Sequence, residues 1–301
     1  MSTYIHEGQH IRGRGRLVDY SNLVKLPHTV FALPFALVGA TLASYRFDVR
    51  WTDVLLILAA FTAARFAAMG FNRIVDRAID ARNPRTQGRE IPSGKLTVGQ
   101  AAVAVMLAGA VFLACAAMLN PLCLVLAPLA LAWILFYSYT KRFTRWAHLV
   151  LGFALAIAPV GAYLAVAGQW SEPPAVLLVL AGAVLCWVAG FDILYSLQDI
   201  EFDRKERLHS VPAALGARGA LRVSRFLHAA SAGLFFVLGT LLPELGAVYF
   251  AGAAMIALML AYEQSLVKAD DFSRIDAAFF NINGIISVGF FLLVLVERLL
   301  A

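Results

Sequence analysis

Two groups of carboxylates in this 301-residue chain stand at spacings that suit shared chemistry. The first lies in RFAAMGFNRIVDRAIDARNPRTQGREIPSG, residues 65–94, where Asn72, Asp76 and Asp80 recur every four residues. On a helix that interval keeps them on one face. The second lies in GFDILYSLQDIEFD, residues 190–203. Asp199 and Asp203 are four residues apart, Tyr195 stands one turn before Asp199, and Asp192 stands seven residues before it. That spacing predicts all four near one helical stripe. A lone aspartate at the end of an apolar helix is usually a solvated cap or an arginine's partner. Two such sets point to a shared site. Asp192 lies still deeper in an apolar segment, where an ionised carboxylate is expensive and usually functional.

Carboxylates converging from two helices, with an asparagine beside them, are hard oxygen ligands. They suit Mg²⁺, which keeps several waters and bridges one or two carboxylates to substrate phosphates. The flanking loops supply Arg77, Arg82, Arg85, Arg89, Lys141, Arg142, Arg204, Lys205 and Arg207. Such a set meets the needs of a diphosphate, with metal on one side and guanidinium forks on the other. Some of these cations serve only to set membrane topology. No GxxxxGKS or GxGxxG loop supports a nucleotide, and no Ser/His/Asp arrangement stands out. His28 and His148, near span starts, read as hydrogen-bonded structural histidines. Cys115, Cys123 and Cys186 lie in apolar segments without metal-ligand spacing, so they read as buried small hydrophobes outside any disulfide framework.

The elements that must position these residues are membrane helices. The chain is 61% hydrophobic and 15% charged, with a mean hydropathy of +0.76. Soluble domains carry about 25% charged residues. Nine apolar stretches are long enough to span a bilayer: 22–45, 52–72, 98–119, 121–139, 147–168, 174–196, 218–241, 245–263 and 277–299. Turn residues separate them at Asn120-Pro121, Gly168-Gln169, Pro173-Pro174 and Pro243. Residues 1–21 are polar, with Arg12, Arg14 and Arg16, and no apolar run precedes the first span, so no cleaved leader is expected.

Charge fixes the expected orientation. With the N-terminus cytoplasmic, the inside segments hold 21 of the 25 Lys and Arg, whereas the outside holds only Arg46, Arg50 and Arg298. The positive-inside rule then puts the N-terminus in and the C-terminus out. It also accounts for the net charge of +6 without a nucleic-acid partner, and no obligate protein partner is evident. Both acidic clusters fall on the cytoplasmic side, where they can face each other. Their Asp pairs are 123 residues apart, about four helices with loops, and each is followed by a basic loop, a proline (Pro92, Pro212) and a new span. The expected organisation is therefore one all-α membrane domain over 1–301. It comprises a cytoplasmic tail (1–21), a first half (22–141), a second half (147–263) and a ninth helix (277–299).

NRIVDRAID (72–80), RTQGREIPSG (85–94), YSYTK (137–141) and GFDILYSLQDIEFD (190–203) resemble the signatures of UbiA-type intramembrane aromatic prenyltransferases. KLPHTVFALPFA (25–36) resembles the 4-hydroxybenzoate polyprenyltransferase-like subgroup, whose members serve ubiquinone or the futalosine route to menaquinone. The similarity covers nearly all of the chain. It implies a UbiA-like fold and Mg²⁺/diphosphate roles for Asn72, Asp76, Asp80, Asp199 and Asp203. The family's NDxxDxxxD motif has Arg73 at its second position here, so no such role passes to that residue. Arg73 is left to hold diphosphate or to restrain an aspartate. YxxxK falls on Tyr137 and Lys141, implying diphosphate contact by Lys141; Arg142 and Arg77 also match positions linked to activity.

The implied reaction uses two Mg²⁺ ions, one per acidic motif, with Arg77, Arg85, Arg89, Lys141 and Arg142 on a polyprenyl diphosphate. Leaving-group charge is stabilised as the allylic C–O bond breaks. A dry pocket, with Tyr137 and Tyr195, protects the cation, and an aromatic acid attacks it. Asp76, Asp199, Asp192 and Arg142 are the expected catalytic residues, with Asp192 orienting the acceptor hydroxyl or taking the proton. Arg65, Asn281 or Asn283 could meet the acceptor's carboxylate, although helix–helix hydrogen bonding competes for the asparagines. The expected acceptor is 4-hydroxybenzoate, with a dihydroxynaphthoate as the alternative. The isoprenoid tail is expected to leave between helices into membrane lipid. A transporter is the alternative of another class, but its acids would sit near the bilayer midplane. A CDP-alcohol phosphotransferase would need a DGxxAR…GxxxD segment, which this sequence lacks.

Overall fold

A long apolar segment in lipid must satisfy its own backbone, which makes the helix its default. The computed structural model describes residues 11, 13, 15–275 and 281–301, and for 26–32 the backbone alone. Arg12, Arg14, the side chain of His28 and the start of the expected ninth span at 277–280 lie outside the described residues. The helices are α1 (Arg16–Leu23), α2 (Leu26–Ala43), α3 (Trp51–Arg82), α4 (Val98–Leu119), α5 (Pro121–Phe136), α6 (Ala147–Ala167), α7 (Ala175–Ser196), α8 (Ile200–Lys205), α9 (Val211–Leu241), α10 (Ala247–Leu266) and α11 (Asn283–Leu300). Among the described residues, eight helices are long and apolar enough to cross a membrane; α2 contributes a shorter apolar run, Leu33–Ala43.

Consecutive long helices pack on one another, and α11 returns to α2, closing a ring. Close approach depends on small residues. A methyl group at Gly39 of α2 would collide with the Pro159 carbonyl of α6, and one at Gly152 of α6 with the Leu185 carbonyl of α7. Where α2, α7, α9, α10 and α11 meet, Phe35, Trp187, Phe235, Tyr249 and Phe290 form an aromatic core. Leu107, Met118, Leu129 and Leu178 stand exposed on the outside, as lipid-facing side chains do.

Three departures from expectation bear on the site. The polar tail is helical from Arg16, and Lys25, in a left-handed conformation, turns α1 into α2. Helix α3 runs ten residues past the expected span end at 72, for 32 residues or roughly 48 Å, so it carries Asn72, Asp76 and Asp80 as one rigid face. Helix α9 starts at Val211 and kinks at Gly216, whose φ of 68° only glycine adopts readily.

Candidate active site

The last turns of α3, the 83–97 loop, a 3₁₀ turn at Tyr137–Arg142 and the end of α7 with α8 meet at one end of the ring. They enclose an open cleft that spans about 840 Å³ with its mouth included. Asn72, Asp76 and Asp80 line one wall, Asp192, Tyr195, Asp199 and Asp203 another, with Tyr137 and Lys141 between.

Helix geometry explains the first wall. Asn72 donates to Asp76 Oδ2 one turn later, at 2.9 Å, while Arg142 Nη2 meets Asp76 Oδ1 at 2.8 Å and also donates to the Val75 carbonyl. Arg89 Nη1 pairs with Asp80 Oδ1 at 2.7 Å. On the second wall Asp199 accepts from Arg85 Nη2 at 2.6 Å, Arg85 Nε at 3.0 Å and Asn83 Nδ2 at 3.2 Å. The same guanidinium lies over the Tyr195 ring and donates to its hydroxyl. Every arginine in these contacts reaches from a loop or 3₁₀ turn: Arg89 and Arg142 to acids on α3, and Arg85 to Asp199 in the 3₁₀ turn after α7.

The three aspartates and Tyr195 of the second cluster do not share one continuous stripe. A 3₁₀ turn at Leu197–Asp199 separates α7, with Asp192 and Tyr195, from α8, with Asp203. Tightening to three residues per turn rotates the side chains, yet all four still face the cleft. Lys141 has Asp203, Asp199 and Asp192 as its strongest acidic neighbours.

Two carboxylate oxygens lack partners here. Among the described residues, Asp80 Oδ2 and Asp203 Oδ2 are buried without a hydrogen bond, and Asp203 is only 2% exposed. Leaving such an atom unmet is costly, so a ligand at this place is chemically reasonable. Among the described residues no three acidic, His or Cys side chains close into a metal cage. A hard cation held by one or two carboxylates, water and phosphate oxygens needs none.

Not every expected residue faces the cleft. Arg77 is exposed and donates to Ile74 of its own helix, and Arg65 is outside the cleft lining. Arg73 is 3% exposed and donates to the Leu23 carbonyl at the end of α1, away from the diphosphate role left open for it. Asn283 accepts from Trp187 Nε1 at 2.7 Å and donates to Glu263 at 3.1 Å, tying α7 to α10, while Asn281 is exposed. Sequence reasoning missed Asn83 and the partnership of His148 with Asp192 (2.6 Å). Asn83 had a signal, standing before a proline at a helix end. His148 and Asp192 lie 44 residues apart, and no local spacing joins them.

A family model described as the UbiA prenyltransferase family matches residues 32–285. The chain belongs to the UbiA prenyltransferase family. This UbiA enzyme, a prenyltransferase, is similar to the 4-hydroxybenzoate octaprenyltransferase of Shewanella piezotolerans, at 30% identity over 70% of this chain and 72% of that one. The protein of that name from Cronobacter sakazakii is 28% identical over 90% and 92% of the two chains. Among solved structures, the apo UbiA homolog of Aeropyrum pernix K1 superposes with a TM-score of 0.80 and 35% identity, covering 91% of this chain and 98% of that one. An Archaeoglobus fulgidus UbiA homolog bound to GPP and Mg²⁺ shares the fold, with a TM-score of 0.73 and 18% identity over 93% and 99% of the chains.

Proposed function

We propose that this UbiA enzyme transfers a polyprenyl group from polyprenyl diphosphate to the ring of 4-hydroxybenzoate, with Mg²⁺. One observation carries the reading: both acidic clusters and Lys141 line a single cleft. The names of the relatives support the acceptor and a long donor chain. The Mg²⁺ and GPP bound by the Archaeoglobus fulgidus homolog support the metal and diphosphate.

Asn72, Asp76 and Asp80 would hold one ion, and Asp199 and Asp203 a second. When bound, Mg²⁺ neutralises the charge that grows on the departing diphosphate. Arg85, Arg89, Lys141 and Arg142 add fixed positive charge around the same group, strongest in value when water is excluded. Tyr137 and Tyr195 shield the allylic cation. The C–O electron pair leaves with the diphosphate, and a ring carbon bonds to the allylic carbon. Asp192 takes the hydroxyl proton as the ring becomes a dienone. It returns that proton to the oxygen as the ring carbon loses its own hydrogen, as a proton, to the diphosphate. The isoprenoid tail leaves between helices into lipid.

The helix ring supports one membrane domain of two four-helix halves plus α11. We take α2 as the first of nine crossings, with the N-terminus and the cleft facing the cytoplasm and the C-terminus outside. The test uses purified protein, Mg²⁺, labelled polyprenyl diphosphate, and 4-hydroxybenzoate or a dihydroxynaphthoate offered separately. Ring prenylation of 4-hydroxybenzoate is expected. Preference for the naphthoate would move the enzyme to menaquinone synthesis, and no diphosphate release with either acceptor would refute the reading.

A further inference from the structure

His148 is fully buried in the first turn of α6, and its two ring nitrogens face different partners. The Val211 backbone N–H donates to Nε2 at 3.3 Å. Val211 is the first residue of α9, so this N–H is one of the donors a helix start cannot satisfy internally. An N–H can donate only to an unprotonated ring nitrogen. The neutral imidazole therefore carries its proton on Nδ1, which lies 2.6 Å from Asp192 Oδ2.

That geometry assigns the two side chains different work. Because its Nε2 lone pair is occupied, His148 cannot serve as the base. Asp192 lines the cleft with its side chain 18% exposed, and among the described residues its only hydrogen bond is the one from His148. Oδ2 is taken; Oδ1 remains for a ligand. An aspartate's last torsion is broad on its own, and one short bond from a buried, doubly held donor fixes the carboxylate plane.

We infer that His148 is a positioning residue: through the Val211 N–H it is locked as an Nδ1–H donor, and it aims Asp192 Oδ1 at the hydroxyl of the aromatic acceptor. This rests on the reading of Asp192 given above. The arrangement inverts the familiar Ser-His-Asp order, in which the carboxylate stands behind and the imidazole faces the substrate.

The test compares wild type, His148→Leu, His148→Asn, Asp192→Asn and the His148→Leu/Asp192→Asn double variant. Transfer kinetics for both substrates are measured, with diphosphate release when no acceptor is present. His148→Leu should lower kcat for transfer by about 30-fold, the size of loss an orienting partner typically brings. KM for the donor and acceptor-free diphosphate release should stay within about twofold, since donor ionisation is untouched. Asparagine places an amide N–H near the position of Nδ1, so His148→Asn should recover transfer to within about threefold of wild type. Leucine should add nothing in the Asp192→Asn background, the non-additivity expected of residues acting as a unit. Full transfer by His148→Leu, equal losses for Leu and Asn, or losses that multiply in the double variant would each overturn the proposal. Full transfer by Asp192→Asn would instead overturn the reading of Asp192 on which it rests. If His148→Leu does not insert, His148→Gln replaces it. Gln puts its amide near Nε2 rather than Nδ1, so activity should follow Asn alone, and equal rates would refute the assignment.

Discussion

Arg85 grips Asp199 through two nitrogens, Nη2 to Oδ2 at 2.6 Å and Nε to Oδ1 at 3.0 Å, across 114 residues of sequence. The contact fastens the loop after α3 to the second half of the ring, and Asn83, at the start of that loop, donates to the same carboxylate. A planar fork makes this geometry and an ammonium does not. Arg85→Lys should therefore behave like Arg85→Ala: kcat/KM for the polyprenyl diphosphate falls by about 10- to 100-fold, or 1.4–2.8 kcal/mol of lost transition-state binding. Recovery of near-normal kcat/KM by lysine would show that only the charge matters.

Asp76 and Asp199 face one cleft from opposite halves. Replacing either by alanine should leave a folded, inserted protein that has lost transfer by at least about 100-fold, because each removes a hard oxygen from the leaving-group side. EDTA should abolish transfer, and added Mg²⁺ should restore it. Transfer that persists in EDTA would remove the metal from the mechanism.

Two arginines that both match family positions linked to activity have opposite surroundings. Arg142 reaches Asp76 Oδ1 at 2.8 Å inside the cleft, whereas Arg77 is exposed and bonded to its own helix. Arg142→Ala should cost about 30-fold in kcat/KM, in line with removal of a charged stabilising donor. Arg77→Ala should stay within about threefold, as an exposed charge removed from contact does. Steady-state kinetics on the two variants side by side distinguish them.

Much of this site was legible because its signals are local. Four-residue spacing put Asn72, Asp76 and Asp80 on one face, and α3 continues through them unbroken. The 3₁₀ turn before Asp199 escaped because nothing in LQD forbids an α-helix; tertiary packing sets it. Arg73 shows another limit. Its type departs from the family motif, but only the fold shows that it turns to Leu23, since α1 and α3 meet across 50 residues. For His148 and Asn283 the sequence already gives a hydrogen-bonded polar side chain in an apolar helix, and only the fold supplies the partner on another helix.

Asn283, buried at the start of α11, links Trp187 Nε1 of α7 and Glu263 Oε1 of α10. Asn283→Ala leaves an indole N–H and a carboxylate without that partner, at a cost of about 1–3 kcal/mol for each unsatisfied group. Thermal unfolding in detergent should show the loss, and Asn283→Asp should not rescue it, because aspartate keeps an acceptor for the indole but has no N–H to donate to Glu263. Unchanged unfolding of the alanine variant would mean that the network relaxes freely.

The orientation of the ring has its own two-sided test. Gln87 is exposed in the loop that carries Arg85 and Arg89, and Ala301 is exposed beyond α11. The 21-to-3 distribution of Lys and Arg predicts that these positions lie on opposite faces of the membrane. In intact cells a membrane-impermeant maleimide should label Ala301→Cys and leave Gln87→Cys unlabelled; inverted vesicles should give the reverse. Cys115, Cys123 and Cys186 lie within helices and can be replaced by alanine first to clear the background. Labelling of Gln87→Cys from outside would put the cleft on the other face, where a cytoplasmic diphosphate donor does not reach it. Labelling of both positions from one side would instead take a crossing away from the long helices between them, α4 to α7 and α9 to α11.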